Sequence, residues 1–315
     1  MARVTLESLS ADILILILGS GADLQTLKHA VHASPDFYRA YRAGRYTVLK
    51  YVLEHQQEGL VSRSDTIAVV RSQGLSAGNP AHKETIAAFL DDRQPIYNLP
   101  LDADEMIRAL KFHDVALWVL EQYVKTMKCP AWMKRSFSSK DTPLRLPENE
   151  SRHFFRGIYR FQIWLNLFGH ANRNPETWEI WNGVFTEDEM IGIFLLRMPP
   201  WEIDEIISIW DLLEHILKTP GIPVDSADIS DYKFQSLESS VISEYPANLL
   251  VMLGLAFARR LLTEADSKSQ LKLARNSIDK DLIWFSWLEY TFHRYPDRIG
   301  AVEFLYPPSQ TPPVA

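Results

Sequence analysis

The side chains that could do chemistry are few and scattered along the chain. His29 and His32 stand three residues apart with Asp36 close behind. That spacing can share a helix face and occurs in metal sites. No third clustered ligand accompanies the pair, so both histidines read as flanks of a buried helical stripe, and no metal is assigned. Glu214 and His215 are adjacent, which on a helix turns them about 100° apart and suits no acid–base pair. His153, His170 and His293 sit among aromatics at helix ends, where core-edge or capping roles account for them. Ser34 lies in an Ala-Ser-Pro turn without a positioned base. Cys129 stands beside Pro130 with no neighbouring histidine, so a reactive thiol has no support. The acidic groups Asp102/Asp104/Glu105 and Glu187/Asp188/Glu189 fit helix N-termini better than paired catalytic carboxylates. No phosphate-binding loop or G-x-G-x-x-G occurs. The sequence names no reaction and no cofactor.

Composition narrows the class. The chain has 315 residues, 46% hydrophobic and 23% charged, the ordinary mixture of a globular protein. Its formal charge of −7 argues against a nucleic-acid binder, which needs a basic surface to displace counterions. One cysteine excludes an internal disulfide framework and a thiolate-rich zinc site. The longest nearly apolar run, Leu249 to Ala258, is ended by Arg259 and Arg260, well short of the roughly 20 residues a membrane span needs. The run Ile13 to Leu18 is too short for a signal-peptide core, and Asp12 abuts it. A cytoplasmic or nuclear location is the default expectation.

The elements that would position any site are helical. Asn79-Pro80 reads as an N-cap followed by proline at the first helical position, opening a helix to about Phe89. Asp102 and Glu105 have capping-box spacing, with Leu101 placed for a hydrophobic staple, and that helix extends to about Met127. Asn174-Pro175 and Thr186 with Glu189 repeat these signals. Phe154, Ile158, Phe161, Leu165 and Phe168 form one apolar stripe; Ile203, Ile206, Ile207, Trp210, Leu213 and Leu217 form another. Glu202, Asp204 and Glu205 crowd the first turn of the latter helix, where negative charge suits its dipole. Further helices are expected over Pro246–Leu262 and Asp279–Phe292. No stretch alternates with period two, so the fold class is all-α.

Long surface loops are expected at Cys129–Glu150 and Thr219–Tyr232, and a Pro-rich tail from Pro307. Trp164, Trp178, Trp181, Trp201, Trp210, Trp284 and Trp287 are read mainly as core, although an exposed subset would suit interface anchors.

The most distinctive stretch is Leu9 to Arg42, "LSADILILILGSGADLQTLKHAVHASPDFYRAYR". Ser10 can cap a short helix in which Ile13 to Leu18 are apolar on every side. A helix of that kind has to be covered on every side, and the helices following it can cover only part of it. The rest calls for a partner or for the C-terminal domain. Gly19 and Gly21 break the chain, and Asp23 or Ser20 caps a second helix with the stripe Leu24, Leu27 and Val31. Pro35 opens a third helix, with Phe37, Tyr41, Val48, Val52 and Leu53 facing inward.

These residues resemble an F-box of the kind found in many proteins of filamentous fungi. The usual Leu-Pro-x-Glu opening and Leu/Ile run correspond to Leu9, Ser10, Ala11 and Asp12 followed by Ile13 to Leu18. "LKHAVHASPDFYRAY" resembles the second half of such modules, and "YRFQIWLNLFG" (159–169) and "MPPWEIDEI" (198–206) are similar to later segments of the same group. The family usually carries Pro where Ser10 stands and a bulkier aromatic where Phe37 stands. The resemblance implies an F-box-like module over 1–58, a helical domain over 59–306 and a flexible tail over 307–315. It also implies docking on the adaptor subunit of an SCF-type cullin–RING ubiquitin ligase, with an unknown target protein recruited by the rest of the chain. The docking residues it implies are Leu9, Ser10, Asp12, Ile13, Leu14, Ile17, Leu18, Leu24, Leu27, Val31, Pro35 and Phe37. Such a subunit is no enzyme and uses no cofactor; nucleic acid and membrane are not expected partners. Two other readings stand beside it: a helical scaffold that has lost adaptor binding, and a small-molecule binder or enzyme with an aromatic pocket.

Overall fold

A computed structural model describes residues 9–21, 23–91, 99–126, 146–169, 185–218 and 250–264, with a few positions between 266 and 273. Every regular element among them is helical. In chain order these are α1 (Ala11–Gly19), α2 (Leu24–Ala33), α3 (Pro35–Gln57), α4 (Arg63–Arg71), α5 (Lys83–Leu90), α6 (Ala103–Thr126), α7 (Glu148–Trp164), α8 (Glu187–Ile193), α9 (Pro200–Lys218) and α10 (Leu255–Thr263). The all-α reading of the sequence is therefore correct. No described helix is long and apolar enough to cross a membrane.

Local chemistry explains most of the starts. The Asp23 carboxylate accepts from the Thr26 amide at 2.6 Å, and Ser62 caps α4 from the Asp65 amide. Asp102 and Glu105 each accept the other's backbone N–H, a reciprocal capping box at the entrance to α6. Thr186 and Glu189 do the same for α8. Asn79-Pro80 opens a single 3₁₀ turn, Pro80–His82, before α5 begins.

One buried cluster joins the elements, running from Leu14 on α1 to Leu261 on α10. α1 and α2 lie on α3, which packs in turn on α6. α4 and α9 flank α7, and α10 rests on α6. The first three helices and the body thus share a core through α3. α1 comes very close to α3. A methyl group on Gly44 would lie 2.5 Å from Ile15 Cδ1, and one on Gly19 would lie 2.9 Å from the Tyr51 ring. The contacts advance in the same direction along both helices, so α1 and α3 run in the same sense. Gly44 is also the kink of α3, with φ −115° and ψ 25°.

Several sequence expectations are corrected. The stripe from Phe154 to Phe168 does not lie on one continuous α-helix: α7 passes into a π-helical turn, Leu165–Gly169. Within it Phe154 is only half-buried, while Phe155, Tyr159 and Trp164, outside the stripe, are fully enclosed. α7 begins at Glu148, inside the stretch expected to be loop to Glu150. The helix expected over Pro246–Leu262 is broken at Gly254, whose φ of +93° is incompatible with continuing it, and α10 starts afresh at Leu255. The regions expected as a loop over Thr219–Tyr232, a helix over Asp279–Phe292 and a tail from Pro307 lie outside the described residues. So do Cys129, His170, His293, Trp178, Trp181, Trp284 and Trp287.

Candidate interaction site

α1 is the shortest route from sequence to a site. Its residues are apolar all round, and α3 can cover only one side of it. Leu14 and Leu18, four apart, turn into the core and are nearly inaccessible, and Leu9 and Ile15 are half-buried against it. On the other side Ile13 is 44% exposed, Leu16 58% and Ile17 39%. These positions, i, i+3 and i+4, form one row, the spacing with which an amphipathic helix presents anchors to a groove.

At the entrance, Ser10, Ala11 and Asp12 are exposed, with Asp12 in the first turn where its charge suits the dipole. Ser10 occupies the N-cap position, but its side chain makes no capping hydrogen bond, which corrects the expectation that its hydroxyl caps this turn. Its backbone holds φ −66° and ψ 154°.

The remaining predicted site residues support α1 from behind. Leu27 and Val31 are buried on α2, and Leu24 is half-buried. Pro35 is exposed at the first position of α3, with Ser34 as its cap, and Phe37 is half-buried against the core. The structure thus separates the twelve into an outward group around Ile13 and Ile17 and a supporting group. Sequence reasoning missed Leu16 as a site residue, although it is the most exposed of the run. Its signal was the three- and four-residue spacing to Ile13 and to its own neighbours, which appears only once Leu14 and Leu18 are known to point inward.

The platform beneath is fixed by polar groups far apart in sequence. Thr66 Oγ1 donates to Gln57 Oε1 at 2.8 Å, and Gln57 Nε2 donates to the Tyr159 hydroxyl at 2.9 Å. Tyr159 is 3.1 Å from His113 Nδ1. Because its oxygen accepts from Gln57, the Tyr159 O–H is free to donate to that nitrogen. His113 also hydrogen-bonds the Gln56 backbone. That chain of bonds assigns the neutral imidazole with its proton on Nε2. Burial lowers the His113 pKa to about 4 from its ordinary 6.5, and burial raises that of Tyr159 well above its usual range. Phe155 stacks on His113 at 5.3 Å. The network ties α3, α4, α6 and α7 together with every member neutral.

A second polar cluster joins α7 to α9. Arg156 meets Glu205 at 2.5 Å and Glu202 at 3.3 Å; Arg160 pairs with Glu202 and lies 3.5 Å from Asp65. His153 is exposed, its Nδ1 2.7 Å from Glu205. Glu202 stands in the first turn of α9, where its charge suits the dipole as expected, and its carboxylate and that of Glu205 also reach across to α7. His153 was expected at a core edge or cap, and it belongs to this surface cluster instead.

Other candidates gather no chemistry. His29 is exposed and bonded to Gln25 at 3.0 Å, and His32 is exposed on the same helix. Among the described residues no group of three or more His, Cys, Asp or Glu side chains is placed to hold a metal ion. Trp164 and Trp210 are enclosed in the core, whereas Trp201 is exposed at the start of α9. Neither a known protein family, nor a curated protein, nor a solved structure matches the chain.

Proposed function

We propose that the chain is a non-enzymatic substrate-recruiting subunit of an SCF-type cullin–RING ubiquitin ligase, docking on the adaptor subunit through α1. The row Ile13, Leu16 and Ile17 carries this reading: three large aliphatic side chains stay in water on a helix whose opposite side is anchored by Leu14 and Leu18. The backbone at Ser10 adds support, since φ −66° is the value proline fixes, and proline is what the F-box pattern usually carries there. The adaptor would cover the exposed row, α2 and α3 would hold α1 in place, and the remaining helices would present a target protein. The subunit makes and breaks no bonds; it raises the local concentration of the target beside a ubiquitin-charged enzyme. The cytoplasm or nucleus, where such ligases work, is the matching location.

Co-purification with a fungal cullin–RING adaptor tests the reading. The unaltered chain is expected to form a stable complex, and Ile13→Asp with Leu16→Lys is expected to abolish it while leaving helical content unchanged. Those charges agree with the α1 dipole, acidic near its start and basic in its last turn. Failure of the unaltered chain to bind, beside an F-box protein that does, would leave a scaffold with an F-box-like architecture.

A further inference from the structure

A groove of about 680 Å³ lies beside the C-terminal half of α3, walled by the starts of α4 and α6. Its floor is apolar, formed by Leu53, Ile67, Leu101 and Met106. Two acids, Glu54 and Glu58, and two bases, Lys50 and Arg63, stand exposed around its rim, with Lys50 3.8 Å from Glu54. Their formal charges cancel, so the rim favours neither sign. A charged group pushed down onto the floor would lose its water and meet no counter-charge there, which is costly. The groove therefore selects for an uncharged occupant.

Gln57 adds a more specific demand. It lines the groove with only 9% of its surface accessible. A primary carboxamide has two N–H donors and an oxygen that can accept twice. Gln57 Nε2 gives one N–H to the Tyr159 hydroxyl at 2.9 Å, and Oε1 accepts once, from Thr66 at 2.8 Å. One donor and one acceptor of this buried amide therefore have no partner among the described residues. Buried polar groups are ordinarily satisfied, so the unused pair calls for a molecule that both accepts and donates at one end. Tyr159 and Thr66 hold the amide in place from α7 and α4, so it is fixed before any ligand arrives. An apolar trough with one such polar group at depth is the usual build of a small-molecule site.

We infer that this groove binds an uncharged small molecule with an apolar body and a terminal carboxamide or lactam, the body lying on Leu53 and Met106 and the amide pairing with Gln57. A carboxylate offers acceptors only and an ammonium donors only, so neither can use both open positions of Gln57. Tyr51 lines the groove and also packs against Gly19, so the wall continues onto α1. The inference does not rest on the adaptor reading, and it is tested on the full chain without adaptor, so each can fail while the other stands.

The test is a methyl NMR titration of the full chain, labelled at its methionine methyl groups, with four probes that share one apolar body. These are 4-phenylbutanamide, its N,N-dimethyl form, 4-phenylbutanoate and 4-phenylbutylamine, and a Met106→Leu variant identifies the Met106 signal. The amide is expected to shift that signal saturably and to bind at least tenfold more tightly than either charged analogue. The dimethyl form is uncharged but cannot donate, and is expected to bind about threefold to tenfold more weakly than the amide, the worth of one hydrogen bond. In Gln57→Met, checked for an unchanged far-UV spectrum, the preference for the amide over its dimethyl form is expected to vanish. The ligand series on the unaltered chain decides the matter without that variant. No saturable binding, binding that leaves the Met106 methyl unmoved, a charged analogue binding as tightly as the amide, or equal affinity of the amide and its dimethyl form would each overturn the proposal.

Discussion

His113 makes stability depend on pH in a window set by its burial. Its imidazole titrates near 6.5 in an unfolded chain and at about 4 in the fold, because desolvation outweighs the pull of Asp114 and of the Gln56 backbone. Above pH 6.5 the ring is neutral in both states and its full contribution is present. Between 6.5 and 4 the unfolded chain takes up a proton that the folded one refuses, so stability falls as the pH drops. Below about 4 both states are protonated and the loss is complete. At about 1.4 kcal/mol for each pH unit, that gap amounts to about 3 kcal/mol. The carboxylates of Asp23, Asp102, Glu105 and Glu189 are held below their usual range and also lose stability in acid. A difference experiment removes them. Urea unfolding followed by circular dichroism, near pH 7.5 and near pH 4.5, should show the unaltered chain losing about 2–3 kcal/mol more than His113→Gln, which keeps a donor and an acceptor but does not titrate. Parallel losses in the two proteins would refute the buried neutral assignment. Tyr159→Phe probes the same network at neutral pH. It strands Gln57 Nε2 and His113 Nδ1 without their partner and is expected to cost about 2–4 kcal/mol.

Two further outcomes follow from the α1–α3 contact. Gly44→Ala should destabilise the chain in thermal or urea unfolding, since its methyl would meet Ile15 Cδ1. In an Ile15→Ala background, which removes the atoms that methyl would meet, the same change should cost clearly less, and an unchanged penalty would refute the contact. Ser10→Pro should be neutral or stabilising by about 0.4–1 kcal/mol, because the backbone already holds the proline angle and no side-chain cap is lost; a destabilisation above about 1 kcal/mol would contradict it.

Local signals were readable and tertiary ones were not. The caps at Asp23, Asp102 and Thr186 are decided by residues two to four apart, so the sequence alone could place them. The fate of α1 was half-readable: its all-round apolarity announces that some of it needs covering, but which residues stay outside depends on where Gly44 lets α3 approach. Glu202 and Glu205 satisfied a local rule, the helix dipole, while serving a longer-range one, the ion pairs with Arg156 and Arg160. The network of Thr66, Gln57, Tyr159 and His113 links residues as many as 102 positions apart. Its trace in the sequence was His113 lying among the apolar positions of α6. Gly254 shows the opposite limit, because a single positive φ ended a run that hydropathy alone would have carried through.

The central claim is that the exposed row on α1 is a docking surface. Leu16 is its most exposed member, and covering the 58% of it now in water is worth about 1–2 kcal/mol before any penalty for burying a charge. The direct measurement is calorimetric titration of the purified adaptor into the unaltered chain and into Leu16→Lys, with thermal melts of both. The account predicts a one-to-one complex weakened at least tenfold by the substitution, with the melting temperature nearly unchanged. Equal affinity of the two proteins, or no binding by the unaltered chain, would contradict it.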